Sequence, residues 1–311
     1  MVVVPTPYHL LVRDDPHHRG WQLVVSGVMA LGGALVVLVA ASALTPDLTA
    51  RPGVMPPVDR LVDLAVALLA AALCGALLLG GLALTGSPGR HLVWSVEGRI
   101  RWAWWGRCCL ISFGTVLMVL SLSPAVPGSG VGMTLSVPTL TAWYGFVLSL
   151  ALVPLQATAV ELAFRGYLPQ LLALVVPVSW IGIVASALFV TAGHARGPWG
   201  LVEIGVLAVT AGILTQRTGG LEAAVALHVA FTTSLLLLEA GGAVPTSAAS
   251  AEGRPATAAT TLFTALVVLA LVEWQVRSTG LATRREDHGS RRPWNPAEPG
   301  ERGGGHPTLP G

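Results

Sequence analysis

Residues 64–85 read LAVALLAAALCGALLLGGLALT, with no charged side chain anywhere in the run. At 1.5 Å per residue such a helix reaches about 33 Å, and a bilayer core of about 30 Å calls for about 20 apolar residues of this kind. Helix is the conformation that satisfies such a segment alone, because lipid offers no partner to unpaired backbone groups. Outward from this run, residues 23–44, 108–126, 139–160 and 255–272 are also free of charge. Two further windows, 199–216 and 221–240, are apolar but carry Glu203, Glu222, His228 and Glu239. The expected fold class is all-α, a polytopic transmembrane helical bundle.

Composition agrees. The 311 residues are 53% hydrophobic and 11% charged, against the roughly 25% charge of a water-soluble domain. A soluble enzyme is thereby excluded, and a net charge of +2 gives no reason to expect nucleic acid as a partner. All 18 basic residues are Arg, so no catalytic lysine or Schiff base is available. The three cysteines, Cys74, Cys108 and Cys109, sit in or at the ends of apolar stretches without zinc spacing. They read as small buried hydrophobes rather than as ligands or acylation sites.

The charge-free window from Gly166 to Gly193 contains Pro169 and Pro177, so it must bend or break. Counted as one span, with 166–177 a short interfacial or re-entrant piece, it brings the total to eight and leaves both termini on one side. With that side cytoplasmic, 14 arginines lie inside and four outside, namely Arg51, Arg60, Arg196 and Arg254. Nine spans would split them evenly, against the positive-inside tendency. The first apolar run is too long for a cleaved signal peptide and is taken as a retained span.

The expected divisions are a cytoplasmic segment 1–22, three spans in 23–138, a membrane core 139–240, a loop and last span 241–277, and a disordered basic cytoplasmic tail 278–311. The stretch Arg90–Arg107, RHLVWSVEGRIRWAWWGR, combines four Arg with four Trp and suits an anionic headgroup boundary. Anionic lipid is the partner expected at this loop and at the tail. Arginine-only, alanine-rich usage suggests a genome of high GC content, and the expected location is a bacterial plasma membrane.

Ionisable groups inside a membrane cost about 2.5–3.5 kcal/mol on insertion scales, so each needs a reason. In VELAFRG (Val160–Gly166), Glu161 and Arg165 stand at i and i+4 and can neutralise each other. Alone they read as a structural ion pair. SALFVTAGH (Ser186–His194) closes an apolar helix with His194, and GGLEAAVALH (Gly219–His228) carries His228 about 10 Å into its helix. Glu161 to Pro177 is 16 residues and Pro177 to His194 is 17, so a bend at Pro177 would return His194 to the depth of Glu161. This equal-armed hairpin fits two full arms better than it fits the interfacial piece. A carboxylate and two imidazoles in a dry chamber can activate water and stabilise an oxyanion. One Glu and two His also match a zinc ligand set, which keeps a divalent metal open as a cofactor, although HExxH spacing is missing.

These blocks resemble the CPBP intramembrane peptidases, a family including the eukaryotic CAAX prenyl endopeptidase and bacterial bacteriocin-processing or Abi-like immunity proteins. Those proteins carry E-E-x-x-x-R, then F-x-x-x-H, then H-x-x-x-N. PLQATAVELAFRGYL (Pro154–Leu168), SALFVTAGH and TGGLEAAVALHVAF (Thr218–Phe231) follow the same order. The resemblance implies an endopeptidase acting on membrane-associated peptides or proteins, with Glu161, Arg165, His194 and His228 as its site. The chain departs from the pattern at three places. Val160 stands where the family has its first, water-activating glutamate; Val190 is four before His194, with Phe189 five before; Thr232 replaces the asparagine.

Three function classes follow. An intramembrane endopeptidase would use Glu161 to activate water, Arg165 to orient it, and both histidines to stabilise the oxyanion or deliver a proton. A catalytically impaired scaffold would keep the fold and bind membrane peptides or partner helices, as Val160 favours. A transporter would use Glu203, Glu222 and Glu273 as ion sites.

Overall fold

The computed structural model describes residues 5–45, 56, 60–125, 139–194, 197–240 and 253–285. Its helices are α1 (Gly20–Leu44), α2 (Leu61–Leu84), a single turn α3 (Gly89–Leu92), α4 (Trp102–Leu122), α5 (Leu140–Glu161), α6 (Leu168–Ala173), α7 (Ser179–Ala192), α8 (Pro198–Thr218), α9 (Glu222–Ala240) and α10 (Pro255–Thr279). A π-helical turn, Leu162–Tyr167, joins α5 to α6 without a break. Seven helical runs are long and apolar enough to cross a membrane, Leu140–Ala173 counting as one, and α7 is a shorter apolar helix. With α7 as a crossing the total is eight. Arg51, Arg196 and the tail beyond Arg285 lie outside the described residues.

An independent feature sets the parity. Strand β1 (Thr6–Pro7) pairs antiparallel with β2 (Arg284–Arg285), so both terminal segments meet on one side of the bundle. The first eight residues of the segment expected to be disordered, 278–285, carry the end of α10 and this strand. The stretch 166–177 is also not a separate interfacial piece. Its first part continues the helix to Ala173, and the bend falls between Leu174 and Val178. Pro169 falls directly after the π-turn: the Leu168 amide bonds the Ala163 carbonyl, and proline has no N–H to offer the Phe164 carbonyl one residue on.

Close packing of α2 on α5 rests on small residues: Gly75 lies against Ala159, leaving no room for a Cβ. Hydroxyls inside the spans bond their own helix, as Ser149 does to the Gly145 carbonyl and Thr158 to the Pro154 carbonyl, both at 2.7 Å. Such i−4 bonds make polar side chains tolerable in an apolar solvent.

The end of the bundle that holds the termini is covered by packed loops. Tyr8 is fully buried and donates its hydroxyl to the Val93 carbonyl, and burial pushes its phenol well above the ordinary range. Gln170 Nε2 donates to the Leu92 carbonyl at 3.1 Å. The amide of Val96 donates to Gly219 at 2.8 Å and that of Leu221 to Trp94 at 3.0 Å, a strand-like bridge across the α8–α9 turn. Gly219 closes α8 at φ +68, and a Cβ there would stand 2.6 Å from the Thr283 oxygen.

Arg101 locks this cover. Its Nε and Nη2 donate to Glu222 at 2.9 and 2.8 Å, and its own amide reaches the same carboxylate at 3.0 Å. The remaining guanidinium donors take the carbonyls of Ala282 and Thr218, each at 3.0 Å. Expectation and structure differ here. The centre of Arg90–Arg107 is buried protein rather than a lipid anchor, and its tryptophans from Trp102 onward belong to α4. Arg90, Arg99 and Arg107 remain exposed.

Candidate active site

The site begins with the π-turn. One extra residue in the turn leaves the Phe164 carbonyl without its α-helical partner, and Ser186 of α7 donates its hydroxyl to it. The same turn swings Arg165 inward to span two elements. Its Nη2 donates to the Ala208 carbonyl of α8 at 3.1 Å, while Nη1 reaches Glu161 Oε1 at 3.4 Å and Nε lies 3.3 Å from Oε2. Gly166 follows because the Val93 oxygen approaches so closely that a Cβ would sit 3.1 Å away.

From α9, His228 brings Nδ1 to 2.8 Å from Glu161 Oε1. Glu161 and Arg165 are 2% and 3% exposed, whereas the His228 side chain is 24% exposed. The result is a carboxylate walled in by a guanidinium and capped by an imidazole that still has an open side. Buried away from water, such contacts are worth more than on a surface, and losing one partner strands the other.

The four residues singled out from sequence are not all joined. Glu161, Arg165 and His228 are in direct contact, although 67 residues separate Glu161 from His228. His194 lies beyond the end of α7, and its Nδ1 bonds the Val190 carbonyl at 2.6 Å. Register explains the offset. The Ser186–Phe164 bond pins α7 against the π-turn, Glu161 stands three residues before Phe164, and His194 stands eight after Ser186. In an antiparallel pair that carries His194 about five residues, or about 7 Å, past Glu161. The expected return of His194 to the depth of Glu161 assumed equal arms about Pro177, and the pinned register shifts them.

Val160 occupies a face of its own. Ala159 meets Gly75 of α2 and Glu161 meets His228 of α9, and position 160 lies about 100° around the helix from each. Glu161 therefore does not stand in for a glutamate at 160. Sequence inspection did not foresee Ser186 as a tether, nor Arg101 as the partner of Glu222. The glycine pair before Glu222 was the available signal, since a Cβ on Gly220 would collide with both charged groups.

The three acids that a transporter would use are also engaged. Glu222 is taken by Arg101, Glu273 by Arg217 and Arg277, and Glu203 accepts from Thr257. An ion pathway built on them would first have to break these contacts. Among the described residues no three His, Cys, Asp or Glu side chains cluster closely enough to hold a metal ion. Glu161 and His228 would supply two donors, with a guanidinium already on the carboxylate, and a cation beside that guanidinium is opposed by its charge. The donor set does not fit a metal.

Fold and site together define a polytopic all-α membrane protein with a buried Glu–Arg–His constellation. Residues 141–234 match the family model described as type II CAAX prenyl endopeptidase Rce1-like. That segment, under a third of the chain, holds all three motif blocks and agrees with the CPBP intramembrane-peptidase resemblance. Neither the curated proteins nor the solved structures contain a match to the chain.

Proposed function

We propose that the chain is a membrane-embedded endopeptidase of the CPBP kind, hydrolysing peptide bonds in membrane-associated or C-terminal-motif substrates and depending on the carboxylate of Glu161. The observation that carries this is the 2.8 Å contact between Glu161 and His228 inside the segment that matches a peptidase family. A structural ion pair needs only Glu161 and Arg165. The imidazole adds a proton acceptor at the edge of a dry, preorganised site, which is what hydrolysis uses. The side that holds both termini is assigned to the cytoplasm by its arginine excess, and its exposed arginines to contact with anionic lipid.

A second reading has its own support. Val160 and the enclosure of Glu161 favour a catalytically impaired scaffold that binds membrane peptides. Purified protein in detergent, incubated with membrane-segment and C-terminal-motif peptides, decides between the two. Cleavage of at least one peptide, lost in Glu161→Gln, supports the enzyme; no cleavage of any peptide, with binding retained, supports the scaffold.

A further inference from the structure

Glu161 is almost wholly buried, and its Oε2 accepts no hydrogen bond from the described residues. Its Oε1 takes His228 Nδ1 at 2.8 Å and Arg165 Nη1 at 3.4 Å, Oε2 faces Arg165 Nε at 3.3 Å, and the residue is 2% exposed. The imidazole beside it is 24% exposed and is the member of the group with an open side. With Arg165 holding Glu161 as the anion, a bond between Nδ1 and the carboxylate requires the proton on Nδ1. In a neutral imidazole that leaves the lone pair on Nε2.

We propose that His228, through Nε2, is the base that takes the proton from the attacking water, and that Glu161 is a positioning residue acting through it. This rests on the hydrolytic function proposed above and deepens it. It also shows how the chain can dispense with a carboxylate at Val160, because the proton acceptor is supplied from α9 instead of α5.

The step balances. One O–H bond of water breaks and its proton moves to Nε2, giving an imidazolium facing the Glu161 anion. The water oxygen bonds to the peptide carbonyl carbon, whose π electrons move to oxygen. Collapse of the adduct breaks the C–N bond, and the Nε2 proton passes to the leaving nitrogen. One water is consumed, a carboxyl and an amine are released, and His228 returns to its neutral form. Glu161 does what a buried carboxylate does for an imidazole base elsewhere: it fixes the tautomer and steadies the positive charge without accepting the proton.

The charged groups touching His228 are Glu161 and, through it, Arg165. On the other helices packed against α9, Cys108 of α4 lies in the apolar cluster with Ala223 and Leu227, while Glu203 and Arg217 of α8 are engaged by Thr257 and Glu273.

Two measurements test the assignment. In full-length protein labelled with 15N-histidine and held in lipid nanodiscs, the His228 resonance is identified by its absence in His228→Gln. The expected result is an Nδ1–H tautomer in the neutral ring, shifting toward Nε2–H in Glu161→Gln. For a peptide that is cleaved, His228→Gln should lower kcat by about 10²–10⁴-fold with KM little changed. An Nε2–H tautomer in the native protein, or cleavage undiminished in His228→Gln, overturns His228 as the base while leaving hydrolysis in place. Absence of all cleavage removes the hydrolytic function and this assignment together.

Discussion

Arg101→Ala should be among the most damaging single substitutions outside the candidate site. The guanidinium and its partner Glu222 are 5% and 3% exposed, and the arginine also satisfies the carbonyls of Thr218 and Ala282. Removing it strands a carboxylate in the protein interior, which costs about 3–5 kcal/mol. With roughly 2–4 °C per kcal/mol for chains of this general size, the expected drop in Tm is on the order of 10 °C. The assay is thermal unfolding in detergent, followed by near-UV circular dichroism. Arg99→Ala serves as the control, because Arg99 meets Glu97 at 3.0 Å with 76% of its side chain exposed, and such pairs contribute about 0–1 kcal/mol. Arg101→Met combined with Glu222→Leu should recover much of the loss, since no lone charge remains. If Arg101→Ala costs no more than Arg99→Ala, the inter-loop lock described here does not hold the terminal-side cover.

Two further outcomes follow from the geometry. His194→Ala should reduce cleavage less than His228→Ala, because the His194 bond runs to Val190 while His228 holds Glu161; equal losses in kcat/KM would show that the two histidines act at one centre. Acidification should loosen the N-terminal segment, since burial holds His9 below its ordinary value while its ring bonds Gln216 at 3.2 Å. A lowered folded value means that this stability is fully present above the unfolded pKa of about 6.5 and is lost as pH falls toward the folded one. The protection factors of the Tyr8–Val12 amides, corrected for the intrinsic pH dependence of exchange, should therefore fall between pH 7.5 and 5.5 and stay constant in His9→Gln; protection that does not change with pH would refute it.

The spans were legible because a charge-free run of twenty residues has few alternatives, and Glu161 with Arg165 because i,i+4 spacing is local. His228 could be connected to them only through the order of the three blocks. What stayed hidden depended on register or on distant partners. The π-turn carries the helix through Gly166 to Ala173, where the proline pattern suggested an interfacial piece, and one hydroxyl contact from Ser186 then shifts His194 past Glu161. Arg101 was taken for a lipid-facing arginine because its partner lies 121 residues away. The parity of the spans, inferred from arginine placement, gained an independent basis in a four-residue ladder between the termini.

A double-mutant cycle on kcat/KM tests the account most directly. If Glu161 works only through His228, then Glu161→Gln and His228→Gln each cost heavily, and the combined variant is no worse than His228→Gln alone. Losses that multiply across the two positions would mean that the carboxylate and the imidazole act independently, and would contradict the single catalytic unit proposed here.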